Sequence, residues 1–224
     1  MKFNIAIDGP SAAGKSTIAK LLAKKYNFSY LDTGAMYRLV AYKAIKNNID
    51  LTDEKALAEM IKESYFDIFP DGSIYLDKKP IDDRLIRSAE ISMISSNISK
   101  FNLVRNALVL KQRKICEGKG YVVDGRDIGS VVLKDAEVKI YLTAGQHDRA
   151  IRRYKQNKEK GILNQSLEMI EKDIENRDFQ DMNRKHSPLI RASDAVLVDS
   201  SKININETVD FISNIIEEKI NVKK

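Results

Sequence analysis

The sequence predicts an α/β fold, a mostly parallel sheet flanked by helices. Two observations lead there. Short apolar strand candidates alternate with longer stretches whose apolar residues recur at helical spacing. The segment Gly9-Pro10-Ser11-Ala12-Ala13-Gly14-Lys15-Ser16 then joins the first strand candidate to the first helix candidate. It matches G-x-x-x-x-G-K-[ST], the spacing of a phosphate-binding loop, and so specifies a P-loop NTPase type of sheet. Glycines let the backbone wrap until several N–H groups point inward at phosphate oxygens. The helix beginning near Lys15 aims its positive end at the same anion. Lys15 is placed to reach the outer phosphates of a nucleoside triphosphate, and the Ser16 hydroxyl to sit on Mg²⁺.

In chain order, strand candidates cover 3–8, 29–32, 121–124, 138–143 and 195–199. Helix candidates cover 15–26, 35–47, 53–64, 102–117, 146–157, 166–176 and 206–220, with Asp53 and Asn206 as expected N-caps. One section breaks the alternation. Residues 66–69 and 73–76 read as a small antiparallel hairpin around Pro70-Asp71-Gly72, followed by a polar helix over about 84–99. A single domain over 1–224 is expected, with a core at about 1–59, 101–148 and 165–224. About 60–100 forms an insertion that could act as a flap. About 149–164, rich in Arg and Lys, forms a short lid.

The 224 residues suffice for one substantial core, and the apolar and charged fractions are those of a globular protein. No apolar run approaches the roughly 20 residues needed to span a bilayer. The first residues pass straight into a strand, so no signal peptide is expected. Cys116 is the single cysteine, which rules out an internal disulfide and suits a reducing cytoplasm. The net charge of +6 comes from dispersed lysines, without tryptophan, so the expectation is a solvated surface and no nucleic-acid partner. His147 and His186 lack metal-ligand spacing and are expected at the surface.

Three further segments carry chemistry. Leu31-Asp32-Thr33-Gly34-Ala35-Met36-Tyr37-Arg38 follows the second strand candidate, and ligands of such sheets bind beyond the carboxyl ends of strands. Tyr37 and Arg38 are expected on the first turn of the next helix. Val122-Val123-Asp124-Gly125-Arg126-Asp127-Ile128-Gly129 ends an apolar strand in Asp124, a possible Mg²⁺ partner. Arg126 suits a phosphate, since its fork matches two oxygens. Asp127 suits a hydrogen bond from a base amine or a hydroxyl. In Arg177-Asp178-Phe179-Gln180-Asp181-Met182-Asn183-Arg184, a helix would put Arg177, Asp181 and Arg184 on one face. Taken alone, this and Arg149, Arg152 and Arg153 are equally readable as solvated salt-bridged faces. No nucleophile with a paired base is evident, and arginines gather where phosphates would meet. That fits phosphoryl transfer to another phosphate, which is anionic already and needs no general base. Another acceptor stays open, UMP or a small-molecule hydroxyl with Asp124 or Asp127 as base, as does an ATP-binding module without turnover.

Together GPSAAGKS, LDTGAMYR, the segment from Ser95-Ser96 to Val104-Arg105, DGRDIG, and RDFQDMNR followed by SPL resemble the bacterial cytidylate kinase family in order and spacing, over nearly the whole chain. The resemblance implies a nucleoside monophosphate kinase fold, ATP/ADP and CMP/dCMP as substrates and products, and Mg²⁺ with ATP. It implies ATP contacts from Gly9, Pro10, Ser11, Ala12, Ala13, Gly14, Lys15, Ser16 and Thr17. Ser96, Arg105 and Asp127 would contact cytosine, and Arg177 and Asp181 the sugar. Arg38, Arg126 and Arg184 would hold the acceptor phosphate, with Thr33 and Tyr37 in the same site. Lys15, Arg126, Arg152, Arg153 and Arg184 would carry catalysis, Arg152 and Arg153 as lid arginines. A cytoplasmic monomer is expected. The chain departs from the family at Phe179, Gln180 and Met182, where the family carries more charge, and at Thr33, where serine is frequent.

Overall fold

A computed structural model describes residues 2–69, 73–159, 161 and 165–221. The strands are β1 (Asn4–Asp8), β2 (Ser29–Asp32), β3 (Phe66–Ile68), β4 (Ile74–Leu76), β5 (Lys79–Ile81), β6 (Tyr121–Gly125), β7 (Val138–Thr143) and β8 (Val196–Asp199). The helices are α1 (Lys15–Tyr26), α2 (Thr33–Lys46), α3 (Glu54–Glu63), α4 (Asp83–Ile86), α5 (Ala89–Ile98), α6 (Asn102–Cys116), α7 (Gln146–Glu159), α8 (Leu167–Asn183) and α9 (Ile205–Asn221). A π-helical turn, Ile128–Val132, follows β6.

The main sheet has the order β2-β6-β1-β7-β8, and its registers are parallel throughout. Parallel strands need crossovers, and the helices supply them. Successive residues of each strand enter opposite cores, as the pleat requires. Ile5, Ile7, Val122, Ile140 and Leu142 pack with Ile18 and Leu22 of α1 and Ile212 and Ile216 of α9. Ala6, Leu31 and Val123 face the other way, toward Met36, Leu39, Leu57, Ile61 and Leu108. Each such buried Leu or Ile contributes about 1.5–3 kcal/mol.

The segment expected to form an insertion contributes to this second core. Ile74, Leu76, Ile86, Ile91, Ile94 and Ile98 belong to the same cluster as Leu31 and Val123. Its hairpin pairs β3 with β4 as expected, although the turn at 70–72 lies outside the described residues. The sequence reading missed β5, which pairs antiparallel with β4. Asp77 and Lys78 make that turn with φ of 51° and 64°. Positive φ at both central residues is the hairpin geometry usually signalled by Asn-Gly or Asp-Gly, and Asp-Lys hides it. The single polar helix expected over 84–99 is two helices. Ser88 interrupts it, its hydroxyl accepting the Ile91 N–H at 3.2 Å as an N-cap.

Other boundaries shift for similar reasons. Asp32 caps α2 through the Ala35 N–H at 2.8 Å, so the helix starts at Thr33 and carries Tyr37 and Arg38 on its second turn rather than its first. Asp53 caps α3 as expected. The expected cap Asn206 is inside α9 instead. Asn204 forms a reciprocal capping box with Glu207, at 3.0 and 2.7 Å. Helix α8 runs seven residues beyond the expected end at Asn176, to Asn183. His147 is exposed, whereas His186 is half-buried, not a free surface residue.

Gly9 is the tightest point between fold and site. Its φ is +149°, and a Cβ there would stand 2.0 Å from the Leu142 carbonyl oxygen of β7. Backbone cannot give way as a side-chain tip can. Gly9→Ala should therefore cost at least about 2–3 kcal/mol, read as a lower urea midpoint. An unchanged midpoint would contradict the close approach of the loop to β7.

Candidate active site

The carboxyl ends of β1, β2 and β6 carry Asp8, Asp32 and Asp124, and the loops beyond them build the site. Asp8 tethers two of these loops. Its carboxylate accepts the N–H groups of Ile128 and Gly129, both at 2.7 Å, which binds the end of β1 to the loop bearing Arg126 and Asp127. Burial raises the Asp8 carboxyl to about 6, although those two hydrogen bonds pull the other way.

The phosphate loop has the curvature its motif requires. Ala12 and Gly14 have φ of 59° and 92°. Helix α1 begins at Lys15 with no side chain capping its N–H groups, which leaves that end suited to an anion. Pro10 is buried, and its carbonyl accepts the Lys15 ammonium at 2.7 Å. Burial, and then the charge of Arg126, lower the Lys15 amine to about 7. Ser16 donates to Asp124 at 2.9 Å, and the Tyr30 hydroxyl donates to the other Asp124 oxygen at 2.8 Å. Thr33 is buried and donates to the Asp124 carbonyl at 2.7 Å, so its hydroxyl braces β2 against β6. Burial and neighbouring Asp32 raise the Asp124 carboxyl. Thr17, the next residue of α1, faces solvent.

Across the loop lies an arginine cluster. Arg38 pairs with Asp32 at 3.0 Å, and Arg87 approaches the same carboxylate at 3.5 Å. Arg126 pairs with Asp181 at 2.7 Å. Arg184 stands between Asp127 and Asp181, 3.6 Å from each. Arg105 pairs with Asp127, donates to the Ser99 carbonyl at 3.1 Å, and lies 5.6 Å from the centre of the Tyr37 ring. Burial works to raise the Asp181 carboxyl, but Arg126, Arg177 and Arg184 outweigh it and hold it below its ordinary value.

Arg153 and Arg177 have no carboxylate partner within 4 Å among the described residues. Burial and then Arg126 lower both, Arg177 to about 10. The Nε atoms of Arg38, Arg105 and Arg153 and Nη2 of Arg184 are buried without a hydrogen-bond partner. An unpaired buried donor costs about 1–3 kcal/mol, so four at one place mark a site built for an oxygen-rich anion.

Most of the expected residues therefore converge. Arg152 differs from Arg153, its neighbour on α7. It turns to the Ala13 carbonyl of the phosphate loop and to Ser200, donating to the Ser200 hydroxyl and carbonyl at 3.0 and 2.5 Å. Ser96 lies half-buried one turn before Ser99, and no direct contact joins it to Arg105 or Asp127 among the described residues. Phe179, Gln180 and Met182 point to solvent, so the departures from the family pattern leave the facing Arg177, Asp181 and Arg184 untouched. Sequence reading passed over Asp8, Tyr30, Asp32, Arg87 and Asp178. An aspartate closing an apolar strand marked Asp124, and the same signal was present at Asp8 and Asp32. Arg87, Tyr30 and Asp178 carried no comparable signal.

Ser16 and Asp124 form a fitting pair for a hard divalent cation, being two adjacent oxygen donors beside the phosphate loop. No group of three or more ligating carboxylates, cysteines or histidines exists among the described residues.

Comparison with known proteins agrees with this geometry. A family model described as cytidylate kinase matches residues 5–218. The cytidylate kinase of Ligilactobacillus salivarius is 46% identical over 221 residues, covering 97% of this chain and 98% of that one. That of Alkaliphilus oremlandii is 47% identical, covering 95% and 97%. That of Clostridioides difficile is 47% identical, covering 93% and 95%. A solved structure, an uncharacterized protein from Eubacterium ventriosum, aligns with a TM-score of 0.56 at 12% identity, over 97% of this chain and 99% of that one, which bears on the fold alone. With a phosphate loop facing an arginine cluster at the sheet edge, and a family match across nearly its full length, the chain belongs to the cytidylate kinase family.

Proposed function

We propose that this protein transfers the γ-phosphoryl group of ATP to CMP and dCMP, giving CDP and dCDP. The observation that carries the reading is the set of buried, unpartnered guanidinium nitrogens on Arg38, Arg105, Arg153 and Arg184. Two polyanions repel each other, and cations fixed between them offset that repulsion without reorganising during the reaction.

In this reading the loop Gly9–Gly14, Lys15, Ser16 and Thr17 hold the donor. An oxygen of the CMP phosphate forms the new bond to the γ-phosphorus while the bond to the bridging β–γ oxygen breaks, and ADP leaves with those electrons. Arg38, Arg126 and Arg184 hold the acceptor phosphate, with Tyr37 and Thr33 around it. Arg153 and Arg177 add unpaired charge where the transferring group passes. Arg152 lies on the donor side. Ser96, Arg105 and Asp127 read the base. Asp127 accepting from the cytosine amine would disfavour uracil, because a wrong base leaves buried polar groups unpaired. Asp181, held ionised by three arginines, is placed to accept from the sugar.

Ser16 and Asp124 would hold Mg²⁺, which when bound neutralises phosphate charge. A hydroxyl acceptor is disfavoured, since the family match spans 5–218 and a hydroxyl acceptor has no use for a base pocket of Ser96, Arg105 and Asp127. We further propose that about 60–100 works as the monophosphate-binding flap, and about 149–164 as a lid that excludes water. Of the lid, residues 160 and 162–164 lie outside those described. A cytoplasmic monomer completes the reading. No described helix is long and apolar enough to cross a membrane. Burial pushes the Cys116 thiol up to about 12, which makes it a poor nucleophile.

Three measurements test this. ADP release with Mg·ATP should be fast with CMP and dCMP and slow with UMP and AMP. A preference for UMP would break the assignment of Asp127, and no turnover with any of them would break the proposed reaction. Arg126→Ala should lower kcat about a hundredfold or more; a raised KM at unchanged kcat would reduce Arg126 to a binding group. At pH 8 a Lys15 amine of about 7 is mostly neutral, and phosphates will charge it. ATP binding should then take up about 0.9 proton, seen by calorimetry in buffers of different ionisation enthalpy, and Lys15→Met should abolish the uptake. Equal heats in all buffers would show that Lys15 is already protonated.

A further inference from the structure

Arg149 and Asp178 form the most deeply buried ion pair outside the substrate-facing groups. Arg149 is on α7, one turn before Arg153, and Asp178 is on α8, adjacent to Arg177 and three residues before Asp181. Both converge on one residue of the phosphate loop, through the peptide groups on either side of it. The Asp178 carboxylate accepts the Ser11 N–H at 2.8 Å, and the Arg149 guanidinium donates to the Ser11 carbonyl at 2.9 Å and to the Ala144 carbonyl at 3.0 Å. The second Asp178 oxygen is paired with Arg149 itself.

Ser11 is thus gripped at its donor and its acceptor by one ion pair. Its N–H is taken up by Asp178 rather than left free for a phosphate oxygen. What the grip sets is the path of the chain into Ala12, the residue with φ of 59°. Replacing a buried ion pair with well-packed apolar residues is often neutral for stability. A pair that also orients a catalytic backbone has a further use.

We propose that Arg149 and Asp178 are positioning residues for phosphoryl transfer, clamping Ser11 so that the phosphate loop is held in register with Arg153 on α7 and Arg177 on α8. The proposal rests on the reading of this loop as the donor site. The pair ties the donor side to the two helices that carry the unpaired cations of the acceptor side. In-line transfer depends on that register, and a misplacement of about 1 Å can cost about a hundredfold in rate.

The test is the double variant Arg149→Met/Asp178→Leu, which removes both charges together and leaves neither buried alone. It should unfold cooperatively with a Tm near that of the wild type. Its kcat should fall at least tenfold and its KM for ATP rise at least tenfold, while the Kd for CMP alone stays within about threefold, because Arg38, Arg105 and Asp127 make no contact with Ser11. A folded double variant with wild-type kcat and KM for ATP would overturn the proposal and leave the pair purely structural. If the double variant fails to fold, Asp178→Asn decides. It keeps an acceptor for the Ser11 N–H but not the charge. A kcat at least threefold lower with a raised KM for ATP supports the clamp, and unchanged constants overturn it. A wild-type enzyme inactive on CMP would instead overturn the proposed function, and the ATP affinity of wild type against variant would still decide the clamp.

Discussion

Like charges crowded onto one edge of the sheet are the constraint that the rest of the structure satisfies. Lys15, Arg153 and Arg177 are buried, which lowers all three, and the charge of Arg126 lowers each of them further. Left to itself such a cluster would splay into water. Interleaved carboxylates prevent this: Asp32 holds Arg38, Asp181 holds Arg126, and Asp127 holds Arg105. Asp32 and Asp127 each engage part of a guanidinium and leave Nε of Arg38 and of Arg105 unpaired. The cations are fixed in place without being fully neutralised, and electrostatic catalysis needs that combination.

The parallel sheet makes the arrangement possible. Its strands deliver Asp8, Asp32 and Asp124 to one edge, because strands running the same way end on the same side. Asp8 then links the phosphate loop to the loop of Arg126, and the contact of Gly9 with the Leu142 carbonyl brings the backbone against β7. Further cations arrive on helices. Arg153 and Arg177 come on α7 and α8, which pack through Ala150, Ile170 and Ile174 with Ala12 of the phosphate loop beside them. A small apolar cluster thus ties the phosphate loop to the helices that bear these two arginines.

Much of this was legible in the chain. The five core strands and the first helix follow from apolar runs and from the glycines of the loop, because those signals depend on neighbours in sequence. The elements that escaped have local signals that are weak. The turn before β5 uses Asp77-Lys78 in place of a glycine, the break at Ser88 hides in a polar stretch, and the cap of α9 is a reciprocal pair at Asn204 and Glu207. Each depends on hydrogen bonds that no apolar period records.

The sequence by itself determined the fold class, the phosphate loop and the arginine-bearing segments, since glycine, lysine and serine at fixed spacing allow few other uses. It did not determine which arginines face one another. Arg149, Arg152 and Arg153 look alike along the chain, yet one is buried against Asp178, one is bound to Ser200, and one is left unpaired in the cluster. Helical rotation sends neighbouring side chains in different directions, and partners supplied from far along the chain decide what each cation meets. Only tertiary packing could make that choice.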